Sequence, residues 1–105
     1  MSVSTHVLDA TRGRPAAGVA VRLSGRDGPL ATGETDADGR CWLVAGDLAA
    51  GTYRLVFETG AYFAGTGTET FYPEVTVTFE IRDAGAHHHV PLLLSPWAYS
   101  TYRGS

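Results

Sequence analysis

From Val75 to Arg82 the chain reads Val-Thr-Val-Thr-Phe-Glu-Ile-Arg, an apolar-polar alternation held without a fault for eight positions. That period of two is the mark of a strand with one face buried and one in water. Val19–Ser24 alternates in the same way, with Val19, Val21 and Leu23 on the apolar side. Shorter runs of β-branched and aromatic character at Ser4–Leu8, Leu30–Thr35, Cys41–Val44, Thr52–Phe57, His88–Leu94 and Tyr99–Arg103 predict further strands, eight in all. Between them stand turn residues, as in Arg26-Asp27-Gly28-Pro29, Asp36-Ala37-Asp38-Gly39, Gly13-Arg14-Pro15 and Ala50-Gly51. Only Glu58–Gly65 is too poor in β-branched residues for a strand, and one or two turns of helix are expected there. Short connections favour antiparallel neighbours, and eight strands with one apolar face each predict a two-sheet sandwich.

Composition narrows this picture. A chain of 105 residues is one domain, 1–105, with no repeat and no linker, and its core is modest. A substrate pocket enclosed within so small a core is not expected; a surface groove or a site between subunits is. The net charge of −3 gives no cationic footprint, so nucleic acid is not an expected partner. Val90–Leu94 is far short of a membrane span, and MSVSTHVLDA lacks the basic and apolar regions of a secretory signal, which makes the cytoplasm the expected location. A single cysteine, Cys41, fits a reducing compartment and, inside an apolar strand, reads as a buried structural thiol. All eight basic residues are arginine, each able to grip a planar anion with two prongs.

The candidate chemistry is histidine with arginine. The four histidines are His6, His87, His88 and His89. If Ala86–Leu94 is a strand, His87 and His89 share one face, while His88 joins Val90, Leu92 and Leu94 on the other. Spacing leaves three readings open for His87 and His89: a metal half-site completed by His6, a metal-free acid/base or ligand-contacting role, and a solvated strand end. Arg40 enters a strand after the Asp-Ala-Asp-Gly turn, where it either pairs with Asp36 or Asp38 or stabilises a developing oxyanion. Trp42 and Trp97 read as core or interface residues. Neither a Gly-X-Ser-X-Gly elbow nor paired thiolates occur, which leaves water activation by His and Arg as the supported chemistry.

Several segments, in order along the whole chain, carry a family resemblance. They are Ser4-Thr5-His6-Val7-Leu8-Asp9 with Gly13-Arg14-Pro15-Ala16, Asp38-Gly39-Arg40-Cys41, Phe71-Tyr72-Pro73-Glu74-Val75, His89-Val90-Pro91-Leu92-Leu93-Leu94-Ser95-Pro96, and Tyr99-Ser100-Thr101-Tyr102-Arg103-Gly104-Ser105. The sequence resembles the 5-hydroxyisourate hydrolases, the transthyretin-related enzymes of urate breakdown. The resemblance implies an all-β, transthyretin-like sandwich of two four-stranded antiparallel sheets with one short helix. It also implies a homotetramer, a dimer of dimers with its active sites at the dimer–dimer interface. The substrate would be 5-hydroxyisourate, with no cofactor or metal. The family's catalytic residues match His6, Arg40 and His89, and its site-lining tail matches Tyr102, Arg103, Gly104 and Ser105. Transthyretin itself lacks the two histidines, the arginine and the tail. His88 and Trp97-Ala98 depart from common family residues, outside the matched set.

Two rivals remain on the sequence. One is a zinc hydrolase built on His6, His87 and His89. The other is a non-enzymatic β-sandwich module, which Gly18-Val19-X-Val21-X-Leu23, Thr35–Gly39 and Gly51-Thr52-Tyr53-Arg54-Leu55 resemble. That second resemblance involves only turns and core positions and leaves His6, His89 and the tail unexplained.

Overall fold

In the computed structural model, which describes residues 2–43, 46 and 48–105, the alternating segments become the strands of two facing sheets. In chain order the elements are β1 (Val3–Asp9), β2 (Arg14–Pro15), β3 (Ala20–Gly25), β4 (Gly28–Glu34), β5 (Arg40–Leu43), β6 (Gly51–Phe57), α1 (Thr59–Gly65), β7 (Val75–Ile81), β8 (His88–His89), β9 (Leu92–Ser95) and β10 (Ala98–Thr101). One sheet runs β4-β3-β6-β7, all antiparallel. The other is organised around β1, which pairs with β2, β5, β8 and β9, while β10 extends it beyond β9.

The expected four-stranded pattern is modified in this second sheet. His88–Leu94, expected as one strand, is broken at Val90-Pro91 into β8 and β9, since proline has no N–H to give to a ladder. Both pieces run parallel to β1, so this sheet is mixed rather than antiparallel throughout. Arg14–Pro15, expected as a turn, forms a two-residue pairing with Leu8 and Asp9. The last position of the expected strand Cys41–Val44 lies outside the described residues.

Alternation sets the core. β7 buries Val75, Val77 and Ile81, β6 buries Tyr53, Leu55 and Phe57, and β3 buries Val21 and Leu23. Val3 and Val7 of β1, Leu43 of β5, and Leu92 and Leu94 of β9 meet them from the facing sheet. The helix expected at Glu58–Gly65 spans Thr59–Gly65 and buries Thr59 and Phe63. Its Tyr62 hydroxyl donates to Asp9 Oδ2 at 2.7 Å, while Asp9 Oδ1 accepts from the backbone N–H groups of Thr11 and Arg12. Burial and the Asp9 carboxylate push the Tyr62 phenol up to about 12. No helix among the described residues is long and apolar enough to cross a membrane.

Candidate active site

The outward face of the β1-centred sheet carries the chemistry-bearing side chains. On β1, Val3, Thr5 and Val7 go to the core, which turns Ser4 and His6 outward. On β5, Cys41 and Leu43 are buried, so Arg40 and Trp42 face outward. On β8 the buried residue is His88, and His89 turns out beside His87, as the alternation predicted. Strand register then fixes who meets whom. His6 lies opposite Arg40 and Ser4 opposite Trp42 across β1 and β5, while Ser4 lies beside His89 across β1 and β8.

The Asp36–Gly39 turn holds one half of this arrangement. Asp36 Oδ1 accepts from the backbone N–H groups of Asp38 and Arg40, both at 2.9 Å, and the Asp36 N–H donates to the Arg40 carbonyl. Gly39 sits at φ +76°, with its missing side chain directed at the Val7 carbonyl, so a residue with a Cβ does not fit there. The turn presents the Asp38 carbonyl to His6, whose Nε2 donates to it at 2.9 Å. Because a carbonyl only accepts, the proton of neutral His6 is on Nε2 and the lone pair is on Nδ1. Arg40 joins neither Asp36 nor Asp38 in an ion pair. The pairs among the described residues are Arg22–Glu58 and Arg82–Glu80, and the Asp36 carboxylate is engaged by backbone instead.

His89 forms the other half. Its Nδ1 is 2.8 Å from Ser4 Oγ, which leaves Nε2 free. Partial burial, and then the charges of His87, Arg40 and His6, lower its pKa below the ordinary imidazole value of 6.5. Around neutral pH it is therefore unprotonated and able to accept a proton. The C-terminal tail folds back onto it. The Gly104 N–H donates to the His89 carbonyl at 2.9 Å, and a Cβ built on Gly104 would run into the His89 ring. Ser105 closes a cleft of about 250 Å³ whose other walls are Ser4, Thr5, Arg40, Trp42, His87 and His89.

Of the residues expected to form a site, the fold brings His6, Arg40, His89, Gly104 and Ser105 together. Tyr102 and Arg103 line an adjoining groove of about 330 Å³ with Val77, Phe79 and Val90; His89 lines both this groove and the cleft, while Tyr102 and Arg103 do not line the cleft within one chain. Neither tryptophan is in the core. Trp42 is 63% exposed and stacks on His87 with ring centroids 4.8 Å apart, and Trp97 is 65% exposed and stacks on Phe71. Trp42 stands at a β5 position that alternation turns away from the core, and Trp97 lies in the turn between β9 and β10. Cys41 is buried and its thiol pKa is raised, by burial first and by Asp36 second, as befits a structural thiol. No group of three or more His, Cys, Asp or Glu among the described residues is placed to hold a metal ion, so the zinc reading finds no donor set. Ser4 and Thr5 are cleft residues to which sequence reasoning assigned no role, while His87, weighed as a metal half-site, acid/base or ligand-contacting residue, and Trp42, read as core or interface, stand in the cleft wall. The signal for Ser4 was its position two residues before His6 on the same strand.

Known proteins share both the fold and the sequence. Residues 3–104 match the model of the HIUase/Transthyretin family. The chain is 51% identical to a 5-hydroxyisourate hydrolase of Caulobacter vibrioides, covering 98% of this chain and 97% of that one. It is 47% identical to the 5-hydroxyisourate hydrolase of Mus musculus, over 98% and 94%. The solved 5-hydroxyisourate hydrolase of Klebsiella pneumoniae superposes with a TM-score of 0.92 at 44% identity, covering all of both chains. Sea bream transthyretin, solved with thyroxine, superposes at 0.88 with 35% identity over 97% and 93%. A prealbumin-like sandwich, a full-length family match and relatives that are themselves hydrolases converge on one statement: the chain belongs to the HIUase/Transthyretin family.

Proposed function

We propose that this protein is a 5-hydroxyisourate hydrolase, opening the acyl C–N bond of the substrate's six-membered ring with water to give 2-oxo-4-hydroxy-4-carboxy-5-ureidoimidazoline. The observation that carries this reading is the set of three outward side chains, His6, Arg40 and His89. Each imidazole has one nitrogen committed to a fixed partner and one left free, and Arg40, the cross-strand partner of His6, lines the same cleft as His89. Relatives of similar length and about half-identical sequence bear the hydrolase name.

Chemically, a neutral imidazole takes a proton from the attacking water as its oxygen bonds to the ring carbonyl carbon. Arg40, permanently charged, stabilises the oxyanion that forms there. The carbonyl re-forms as the C–N bond breaks, and the proton taken from water is returned to the departing nitrogen, so no net proton is consumed. No metal or organic cofactor enters this scheme. Gly104 and Ser105 shape the wall beside His89.

The cleft is open on one side in a single chain, and β10 ends its sheet as an exposed edge strand near the exposed Tyr99 and Tyr102. The reading therefore includes a homotetramer, a dimer of dimers in which a second copy completes the cleft and brings Tyr102 and Arg103 to the substrate. The test is decay of freshly generated 5-hydroxyisourate, followed by ultraviolet absorbance, with purified protein whose C-terminus is free. Acceleration that survives a chelator supports the reading. Decay no faster than in buffer overturns it, and loss of activity on chelation overturns its metal-free step.

A further inference from the structure

Three side chains outside the expected catalytic set, Ser2, His87 and Ser4, form one continuous hydrogen-bonded line with His89. Ser2 Oγ lies 2.7 Å from His87 Nδ1, His87 Nε2 lies 2.9 Å from Ser4 Oγ, and Ser4 Oγ lies 2.8 Å from His89 Nδ1. The backbone builds this line. β1 and β8 run parallel, with Val3 beside His88 and Ser4 beside His89, and the His88 and Val90 N–H groups donate to the Ser2 and Ser4 carbonyls. Residues two apart on each strand share a face, so Ser2 and Ser4 on one strand meet His87 and His89 on the other. Trp42 stacks on His87 and braces its ring, and Ser4 is only 2% exposed, so its hydroxyl has little water to turn to.

A serine hydroxyl has one proton and lies here between two ring nitrogens. If it donates to His89, then His87 Nε2 must be the donor to it and His89 has its proton on Nε2. If His89 Nδ1 donates to the hydroxyl, the serine proton turns to His87, His87 has its proton on Nδ1 toward Ser2, and His89 Nε2 has the lone pair. Every bond in the line reverses together. From this we infer that Ser4 and His87 are positioning residues that set the tautomer of His89 and move its second proton. The inference rests on the catalytic role proposed for His89.

In the reaction the line balances as follows. His89 Nε2 takes a proton from water, its Nδ1 proton passes to Ser4, the Ser4 proton passes to His87 Nε2, and the His87 Nδ1 proton passes through Ser2 to solvent. His89 is then neutral with its proton on Nε2, placed to give it to the departing nitrogen, and the reverse sequence returns a proton from solvent. The groups facing His89 are His87, Arg40 and His6, all cationic when protonated, and they favour a neutral ring at each resting stage.

The test begins with the wild-type protein, by nitrogen-15 NMR of its imidazoles at neutral pH, which requires no substrate. His89 is expected as a single tautomer in wild type and as a mixture in Ser4→Ala; a mixture in wild type overturns the inference. In turnover, Ser4→Ala and His87→Phe are expected to lower kcat by about 10- to 100-fold, with KM within about twofold, and Ser4→Thr to restore most of the loss. Unchanged kcat in both, or a loss confined to KM, overturns it. Should the variants fail to fold, the wild-type spectrum alone decides. His89→Ala separates the two readings, since full activity there defeats the proposed catalytic role and leaves the tautomer measurement standing.

Discussion

His6 on β1 and Arg40 on β5 are direct cross-strand partners, held in that register by a turn whose Asp38 carbonyl pins the His6 ring. A base and a cation are thereby brought to one spot by backbone pairing alone. His6→Ala, Arg40→Ala and His89→Ala are each expected to lower kcat/KM by about 100- to 1000-fold while leaving circular dichroism unchanged. Decay assays on the three purified variants measure this, and wild-type turnover in any one of them removes that residue from the scheme.

The lowered pKa of His89 makes a signed prediction about pH. The ring is the base in its neutral form, so kcat/KM should stay flat as pH falls through 6.5 and drop only below it. Arg40 is one of the charges that lower this pKa, so in Arg40→Gln the residual activity should lose its acid limb at a higher pH than wild type. The same shift affects stability: the unfolded chain takes up the proton at higher pH than the folded one. The contribution of His89 to stability is therefore complete above pH 6.5 and declines as pH falls through the folded value. Rate profiles of both proteins decide the first two points, and denaturant midpoints across the pH range decide the third.

Gly104 leaves no room for a side chain against the His89 ring. Gly104→Ala should displace either the ring or the tail and depress kcat while the melting temperature barely moves, because the tail adds little to the core. A bulky tag fused after Ser105, at the mouth of the cleft, should act in the same direction. Kinetics with and without a cleavable tag measure both effects.

Two hydroxyls, one buried and one half-buried, make opposite predictions. Thr59 Oγ1 is fully buried without a hydrogen-bond partner among the described residues, so Thr59→Val, of nearly the same shape, should stabilise the protein by about 1 kcal/mol. The Tyr62 hydroxyl, by contrast, satisfies the buried Asp9 carboxylate, and Tyr62→Phe should cost about 1–3 kcal/mol. Chemical denaturation at one fixed protein concentration distinguishes the two signs.

Asp36 organises the turn through backbone bonds rather than through a salt bridge. Asp36→Ala should therefore lower activity by disordering the Arg40 backbone and the Asp38 carbonyl that orients His6. Asp36→Asn, which keeps an acceptor oxygen, should retain most of it. Equal losses in the two variants would point to charge instead.

Periodicity alone determined much of this protein. The unbroken alternation of Val75–Arg82 located β7 and its buried Val75, Val77 and Ile81, and the same parity placed His87 and His89 on one face with His88 in the core. These are local consequences of a two-residue repeat, and no distant contact is needed to read them. What lay beyond the sequence was everything that depends on which strands become neighbours. Parity could not show that β8 runs parallel to β1 at the register that puts Ser4 against His89, nor that the Asp38 carbonyl faces His6. It also could not show that the tail would pass His89 with Tyr102 and Arg103 in one groove and Ser105 in the cleft, His89 lining both. Strand pairing joins residues more than eighty positions apart, and that choice is made by the packing of the whole core rather than by any local run of residues.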